Sequence, residues 1–354
     1  MKIKHEIRPL SASDLSHPSP EKDWFEQERL AICSLEELSE HLPAVSSEIN
    51  LLKKVCKRFR MKITPYYLKL IDPDNPLDPL RKMAVPDARE LHVERSELTD
   101  PIGDRRKRIG KRIPAGISRR YVDRILFFPT PFCGGYCRHC FRRHLAGRSE
   151  CALSESQVSS AMEYIESNPE IEEVILSGGD PLMLENEKLM KILKRIRSIP
   201  HVQTIRIHTR MPVWNPYRIT KMLSTLLREA SPLWVVTHFN HPRELSPLAV
   251  ERVGNLVDAG IPVMNQAVLL RGVNDSSEIQ CELSLALVRA RVKPYYLHHL
   301  DKAKGISHFR TSLEDGMKIV GELWGSLPGY AIPQYILDIP GGHGKVPLLP
   351  QFLK

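Results

Sequence analysis

Ile125-Leu126-Phe127-Phe128-Pro129-Thr130-Pro131-Phe132-Cys133-Gly134-Gly135-Tyr136-Cys137-Arg138-His139-Cys140 is an apolar run that ends in a loop of three cysteines. Ile125 to Phe128 reads as a strand. The next periodic segment reads as a helix, because Ser154 and Gln157 form a capping box and Val158, Met162 and Ile165 share one face. Strand, loop and helix make one βα unit. Three thiols at C-x3-C-x2-C spacing leave one over from any internal disulfide, so they read as ligands of a soft metal centre. Zinc asks for a fourth ligand, usually from a second Cys or Cys/His pair, and no such pair accompanies the loop. Three thiolates suit a cubane iron-sulfur cluster with one iron left open.

The same alternation repeats along the chain. Val174-Ile-Leu is a second strand that ends in Ser177-Gly-Gly-Asp180, before a helix with Leu189, Ile192, Leu193 and Ile196 at helical spacing. A third strand covers Val202 to His208, and its helix carries Ile219, Met222, Leu223 and Leu226. The fourth, Leu233-Trp-Val-Val, runs into Thr237-His-Phe-Asn-His241, after which Ser246 and Pro247 open a helix that Gly260 closes. Val263 to Leu270 is followed by a helix from Ser276 to Arg289, Val292 to His298 by one from Ser312 to about Leu327, and a last strand covers Ile332 to Leu337. Six βα units and one strand fall short of eight, so the expected class is α/β, an incomplete (β/α)6 TIM-like barrel, with a doubly wound sheet as the competing arrangement. Residues 1–112 read as a mostly helical N-terminal region with a basic linker, 113–330 as the partial barrel, and 331–354 as a C-terminal strand and lysine segment.

In barrels of parallel strands the active site lies at the C-terminal strand ends. Cys133 to Cys140, Ser177 to Asp180, His208 to Arg210, His238, Asn265 and Gln266, Asp301, and Asp338 with Lys345 all follow successive strands here. Polar groups at every such end point to one mouth. A Gly-Gly pair at the second of them lets the backbone approach a small zwitterion chelated by the open iron. Taken alone, Lys345 reads as a solvated lysine. It does not belong to a phosphate loop, since Ile339 stands where the first glycine belongs and Val346 replaces Ser/Thr.

Composition narrows the setting. The 354 residues are 42% hydrophobic, with no apolar run of roughly 18 residues and no apolar N-terminal stretch of signal-peptide type. Of seven cysteines, Cys33, Cys56, Cys151 and Cys281 stand singly, as in a reduced chain, so a cytoplasmic location and no membrane are expected. The net charge of +9 is concentrated in Lys53, Lys54, Lys57, Arg58, Arg60 and Lys62, and in Arg105, Arg106, Lys107, Arg108, Lys111 and Arg112. Without interleaved aromatics these runs read as solvated faces or as a surface for an acidic protein, and no nucleic acid is expected. A zinc-bound, basic nucleic-acid-binding module is the alternative of a different class.

The cysteine loop after one strand and Ser177-Gly178-Gly179-Asp180 after the next resemble the radical S-adenosylmethionine superfamily, in which the glycine motif binds the methionine end of the cofactor. Arg-Arg-His after the cysteines, Thr237-His-Phe-Asn-His-Pro, Asn265-Gln-Ala-Val-Leu-Leu-Arg-Gly-Val-Asn-Asp, Lys293-Pro-Tyr-Tyr and Leu337-Asp338-Ile-Pro-Gly-Gly-His-Gly344-Lys345 narrow the resemblance to the lysine 2,3-aminomutase family, over about residues 60 to 350. That resemblance implies a [4Fe-4S] cluster on Cys133, Cys137 and Cys140, S-adenosyl-L-methionine, and pyridoxal 5'-phosphate bound covalently by Lys345. It implies that Arg120, Tyr121 and Arg124 hold the pyridoxal phosphate group and that His238 and Gln266 lie near S-adenosylmethionine. The substrate L-lysine would bind through Arg142 at its carboxylate and through Asp301 and Asp338 at its distal ammonium. An electron donor and a homo-oligomer are further expectations.

Two departures stand out. His139 replaces the usual aromatic residue before the third cysteine. The chain ends nine residues after Lys345, and Ser276 stands at a family zinc cysteine, so zinc-supported assembly is not expected. Cys-Phe-Arg-Arg-His and Tyr-Tyr-Leu-His-His-Leu-Asp resemble the branch that acts for elongation factor P, making that protein the alternative destination of the product.

Overall fold

The computed structural model describes residues 20–103, 113–339 and 344–350. The basic linker from Arg105 to Arg112 and the segment 340–343 lie outside the described residues.

A nine-stranded sheet forms the frame, with its strands ordered in space as in the chain: β1 (Ile117–Ser118), β2 (Arg124–Thr130), β3 (Glu173–Gly178), β4 (Thr204–Thr209), β5 (Leu233–Thr237), β6 (Val263–Val268), β7 (Lys293–His298), β8 (Gln334–Ile339) and β9 (Gly344–Pro347). β2 to β8 pair in parallel, and β1 and β9 pair antiparallel at the two edges. The crossovers are α1 (Glu155–Glu166), α2 (Asn186–Arg197), α3 (Lys221–Arg228), α4 (Pro247–Asp258), α5 (Ser277–Arg289) and α6 (Leu313–Leu323). β1 and β9 do not meet, so the sheet curls into an incomplete barrel with an open side. This is the architecture that six βα units and a seventh strand predict.

Local chemistry sets the helix starts. Ser154 Oγ accepts from Gln157 N–H while the Gln157 side chain returns to Ser154 N–H, and Ser246, Ser276 and Ser312 each cap their helix in the same way from the N-terminal side. α3 differs from its expected face. Thr220 caps it, so Ile219 precedes the helix, and Leu223 and Leu227 point inward one turn apart while Met222 is 47% exposed. α6 ends at Leu323, a turn earlier than its apolar pattern suggests.

Val174 and Leu176 on the outer side of β3 join Met162, Ile165, Leu189 and Leu193 in one continuous core. Trp24, Leu38, Ile63, Tyr67 and Met83 from the N-terminal region belong to that same core. Polar bonds fix the junction: Tyr66 Oη lies 2.6 Å from Ser246 Oγ, and Tyr67 O–H donates to Glu244 Oε1 at 3.2 Å.

Candidate active site

β2 delivers the chain into the cysteine loop, and close packing decides the loop's path. A Cβ on Gly135 would fall 2.3 Å from the Trp214 ring, so only glycine lets the loop lie there. The N-terminal region fastens the loop from outside: Tyr136 N–H donates to Lys62 C=O at 3.1 Å, Arg138 N–H to Met83 C=O at 2.9 Å, and Lys62 Nζ to Cys133 C=O at 3.0 Å. Arg138 and Arg143 both donate to Glu90, whose carboxylate is fully buried and held below the usual range by the two guanidiniums despite its desolvation.

Cys133, Cys137 and Cys140 line one cavity of about 40 Å³. Burial pushes the Cys133 thiol well up, with Asp180, Cys140 and Cys137 adding to it, and burial with Cys137 beside it lifts Cys140 to about 11. Each effect reports sulfurs close enough to repel as thiolates. Among the described residues no group of three or more His, Cys, Asp or Glu side chains is disposed to hold a metal ion. A cubane does not need that, because each thiolate binds a different iron. The three thiols, lining one cavity, fit that arrangement. His139 is buried and neutral, its ring edge-on to Phe309 at 6.2 Å.

Gly178 has φ +101° and Gly179 lies against Phe132, where a Cβ would sit 2.4 Å from the carbonyl oxygen. These are the two positions at which the strand end demands glycine. Asp180 is anchored inside the protein: it accepts from Thr209 O–H at 2.8 Å, Arg210 N–H at 2.7 Å and Leu182 N–H at 3.1 Å, and burial lifts it to about 6. Ser177 precedes the pair and is 9% exposed. Gly178, Gly179, Phe128, Phe141 and Arg142 border a cleft of about 630 Å³. The Arg142 guanidinium lies over Phe141 at 4.4 Å and Phe128 at 4.8 Å.

Asn265 and Gln266 show the alternation of a strand. Asn265 turns inward and bonds both Phe239 N–H (2.7 Å) and Phe239 C=O (3.0 Å), fixing the loop after β5. Gln266 faces the mouth and meets His238 Nε2 at 2.9 Å and His208 Nδ1 at 3.4 Å. Burial holds His238 at about 3 and His208 far below its usual value, so both rings are neutral. His208 Nε2 and His298 Nε2 are buried without a partner.

The other side of the mouth is made by β8 and β9, where Asp338 and Lys345 are paired residues. Arg120 Nη1 stands 2.7 Å from Asp338 Oδ1, and its Nη2 donates to Ile339 C=O at 3.2 Å. Tyr121 packs its hydroxyl on Gly344, φ +82°, and Lys345 N–H reaches that hydroxyl at 3.4 Å. Arg124 pairs with Asp123 at 2.8 Å and covers the Tyr121 ring. Desolvation lowers the Lys345 amine from its usual value, opposed by Asp338. Burial and the like charge of Asp338 raise Asp301 to about 7. Buried charges outside the mouth, Glu90, Arg138, Arg143 and Glu244, have no motif to mark them in the sequence.

Residues 127–280 match the radical SAM superfamily. The L-lysine 2,3-aminomutase of Acetoanaerobium sticklandii is 44% identical over 340 residues, which is 96% of this chain and 81% of that protein. The chain belongs to the lysine 2,3-aminomutase family. The L-lysine 2,3-aminomutase of Clostridium subterminale is 42% identical over 94% of this chain and 79% of its own length. The glutamate 2,3-aminomutase of Clostridioides difficile is also similar, 40% identical over 94% of this chain and 78% of that protein. The family is one of radical SAM isomerases, and membership implies a [4Fe-4S] cluster, S-adenosylmethionine and pyridoxal phosphate as cofactors. No helix among the described residues is long and apolar enough to cross a membrane.

Proposed function

We propose that the chain interconverts L-lysine and L-β-lysine by a 1,2-amino shift. The observation that carries this substrate is the pair of carboxylates, Asp301 and Asp338, on the side of the mouth that bears Lys345. A second ammonium group would favour the ionised form of Asp301, whose proton is held up to about 7 by burial and by Asp338, whereas the side-chain carboxylate of glutamate would gain no such partner there.

When bound, the cofactors supply hydrogen-atom removal from an unactivated carbon and a path for the nitrogen, which side-chain acids and bases cannot provide. The chain's own residues bind, orient and shield. Cys133, Cys137 and Cys140 hold three irons, and Ser177, Gly178, Gly179 and Asp180 form the strand end that receives the methionine part of S-adenosylmethionine, with His238 and Gln266 alongside. Lys345, its amine eased toward the neutral form by desolvation, holds pyridoxal phosphate, whose phosphate falls to Arg120, Tyr121 and Arg124. Arg142, two residues past the last cysteine, anchors the substrate carboxylate, so the loop that holds the cluster also sets the position of the carbon to be attacked.

Anaerobic incubation of the protein with free L-lysine, S-adenosylmethionine, pyridoxal phosphate and a reductant tests the reading, with parallel reactions on L-glutamate and on elongation factor P. β-Lysine from the free amino acid is expected. Conversion of only glutamate, or only of elongation factor P, rejects it in favour of that substrate.

A further inference from the structure

A buried cation at the mouth donates to a cysteine of the loop. Arg210 follows β4 and is 5% exposed. Its backbone N–H donates to Asp180 Oδ2 at 2.7 Å, its Nη1 donates to Cys137 Sγ at 2.8 Å, and its Nη2 forms an ion pair with Glu244. The Trp214 ring lies 5.2 Å from the guanidinium carbon. Glu244 is itself fully buried and accepts from Tyr67 O–H at 3.2 Å and Asn240 N–H at 2.6 Å. Both prongs of the guanidinium are thus committed, one to a carboxylate that cannot move and one to a cluster sulfur. Lys62, the cation at the other end of the loop, donates to the carbonyl of Cys133 and pairs with Glu28.

We infer that Arg210, held in place by Glu244, sets the reduction potential of the cluster through its hydrogen bond to Cys137. An electron added to a [4Fe-4S] cluster is shared between irons and thiolates, so a charged N–H donor on one sulfur stabilises the reduced form and raises the potential. Glu244 lies beyond Arg210 and offsets part of that charge. The inference rests on the iron-sulfur reading of the three cysteines. It gives the chain a lever on how readily an external donor reduces the cluster, separate from the residues that bind substrate.

The test is a potentiometric titration of the full-length, anaerobically purified protein without S-adenosylmethionine, followed by electron paramagnetic resonance, with iron and sulfide measured on each sample. The double variant Arg210→Gln/Glu244→Gln loses the charged donor and leaves no buried orphan charge; its potential should move to more negative values. Glu244→Gln alone removes the offsetting anion and should move the potential the other way. A general loosening of the fold does not produce opposite shifts. An unchanged potential in a double variant with full iron and sulfide, or shifts of the same sign, overturns the inference. If the double variant does not assemble a cluster, Glu244→Gln decides, and the lack of a positive shift there overturns it. Wild-type protein carrying 15N-guanidino arginine supplies a check without any variant: absence of nitrogen coupling to the reduced cluster is equally fatal. Wild-type protein without iron and sulfide sinks the cluster reading as well, a result distinct from a cluster of unchanged potential.

Discussion

Lys345 and Asp338 face each other across the β8–β9 pairing, with Nζ 3.8 Å from Oδ2 and the Arg120 guanidinium on the other carboxylate oxygen at 2.7 Å. The amine proposed to hold the pyridoxal cofactor and an acid proposed to receive the substrate's far end are therefore set by one register. Lys345→Ala should abolish the visible absorbance of lysine-bound pyridoxal phosphate and reduce activity by at least about a thousandfold. Iron and sulfide should stay at wild-type levels. Absorbance that persists in the variant assigns the cofactor to another lysine.

Asp301 keeps its proton up to about 7, because it is buried and faces Asp338. An ammonium binds its ionised form, so lysine affinity should rise with pH toward that value and level off above it, with a slope near tenfold per unit on the acid side. Asp301→Asn should flatten that slope in a calorimetric titration. The sign for stability is opposite. With its folded pKa raised above 3.8, the carboxyl penalises folding progressively as pH climbs to about 7, so the Asn variant should gain more in thermal midpoint at pH 8 than at pH 4.

Gly178 stands at φ +101°, a conformation that side chains rarely adopt, and its Cβ position is 2.7 Å from Phe128. Gly178→Ala adds roughly 1 to 3 kcal/mol of backbone strain at the strand end. S-Adenosylmethionine affinity should fall by about tenfold or more, measured on cluster-loaded protein, while the far-ultraviolet dichroism stays unchanged. Wild-type affinity would detach this turn from the cofactor.

Glu90 neutralises two buried guanidiniums, those of Arg138 and Arg143. Glu90→Gln leaves them facing each other without a counter-charge and should destabilise the fold by about 3 to 5 kcal/mol in a urea titration. Because Arg138 and Arg143 flank Cys140, iron content should drop with it.

The barrel was legible because its signals are local. A serine at the start of each of α1, α4, α5 and α6 lies within three residues of the N–H it caps, and the parallel strands are short apolar runs between such helices. β1 and β9 escaped because two and four residues carry too little pattern, although β9 bears Lys345. The phase of α3 escaped because Ile219 lies before the cap and so does not share the face of Leu223 and Leu227. Asn265 and Gln266 are adjacent polar residues at one strand end, yet one fixes a loop and the other lines the mouth, a division that depends on which side of β6 is inside. Glu90 and Arg138 are 48 residues apart, and Arg210 and Glu244 are 34 apart. No spacing rule connects such pairs before the chain has folded.

The bonds that fasten the cysteine loop to Lys62, Met83 and Glu90 run through carbonyls, amides, an ammonium and guanidiniums, and none of them uses a sulfur. The three thiols are thus aimed by groups that never touch them, and residues of the N-terminal region act on the cysteines through the backbone alone.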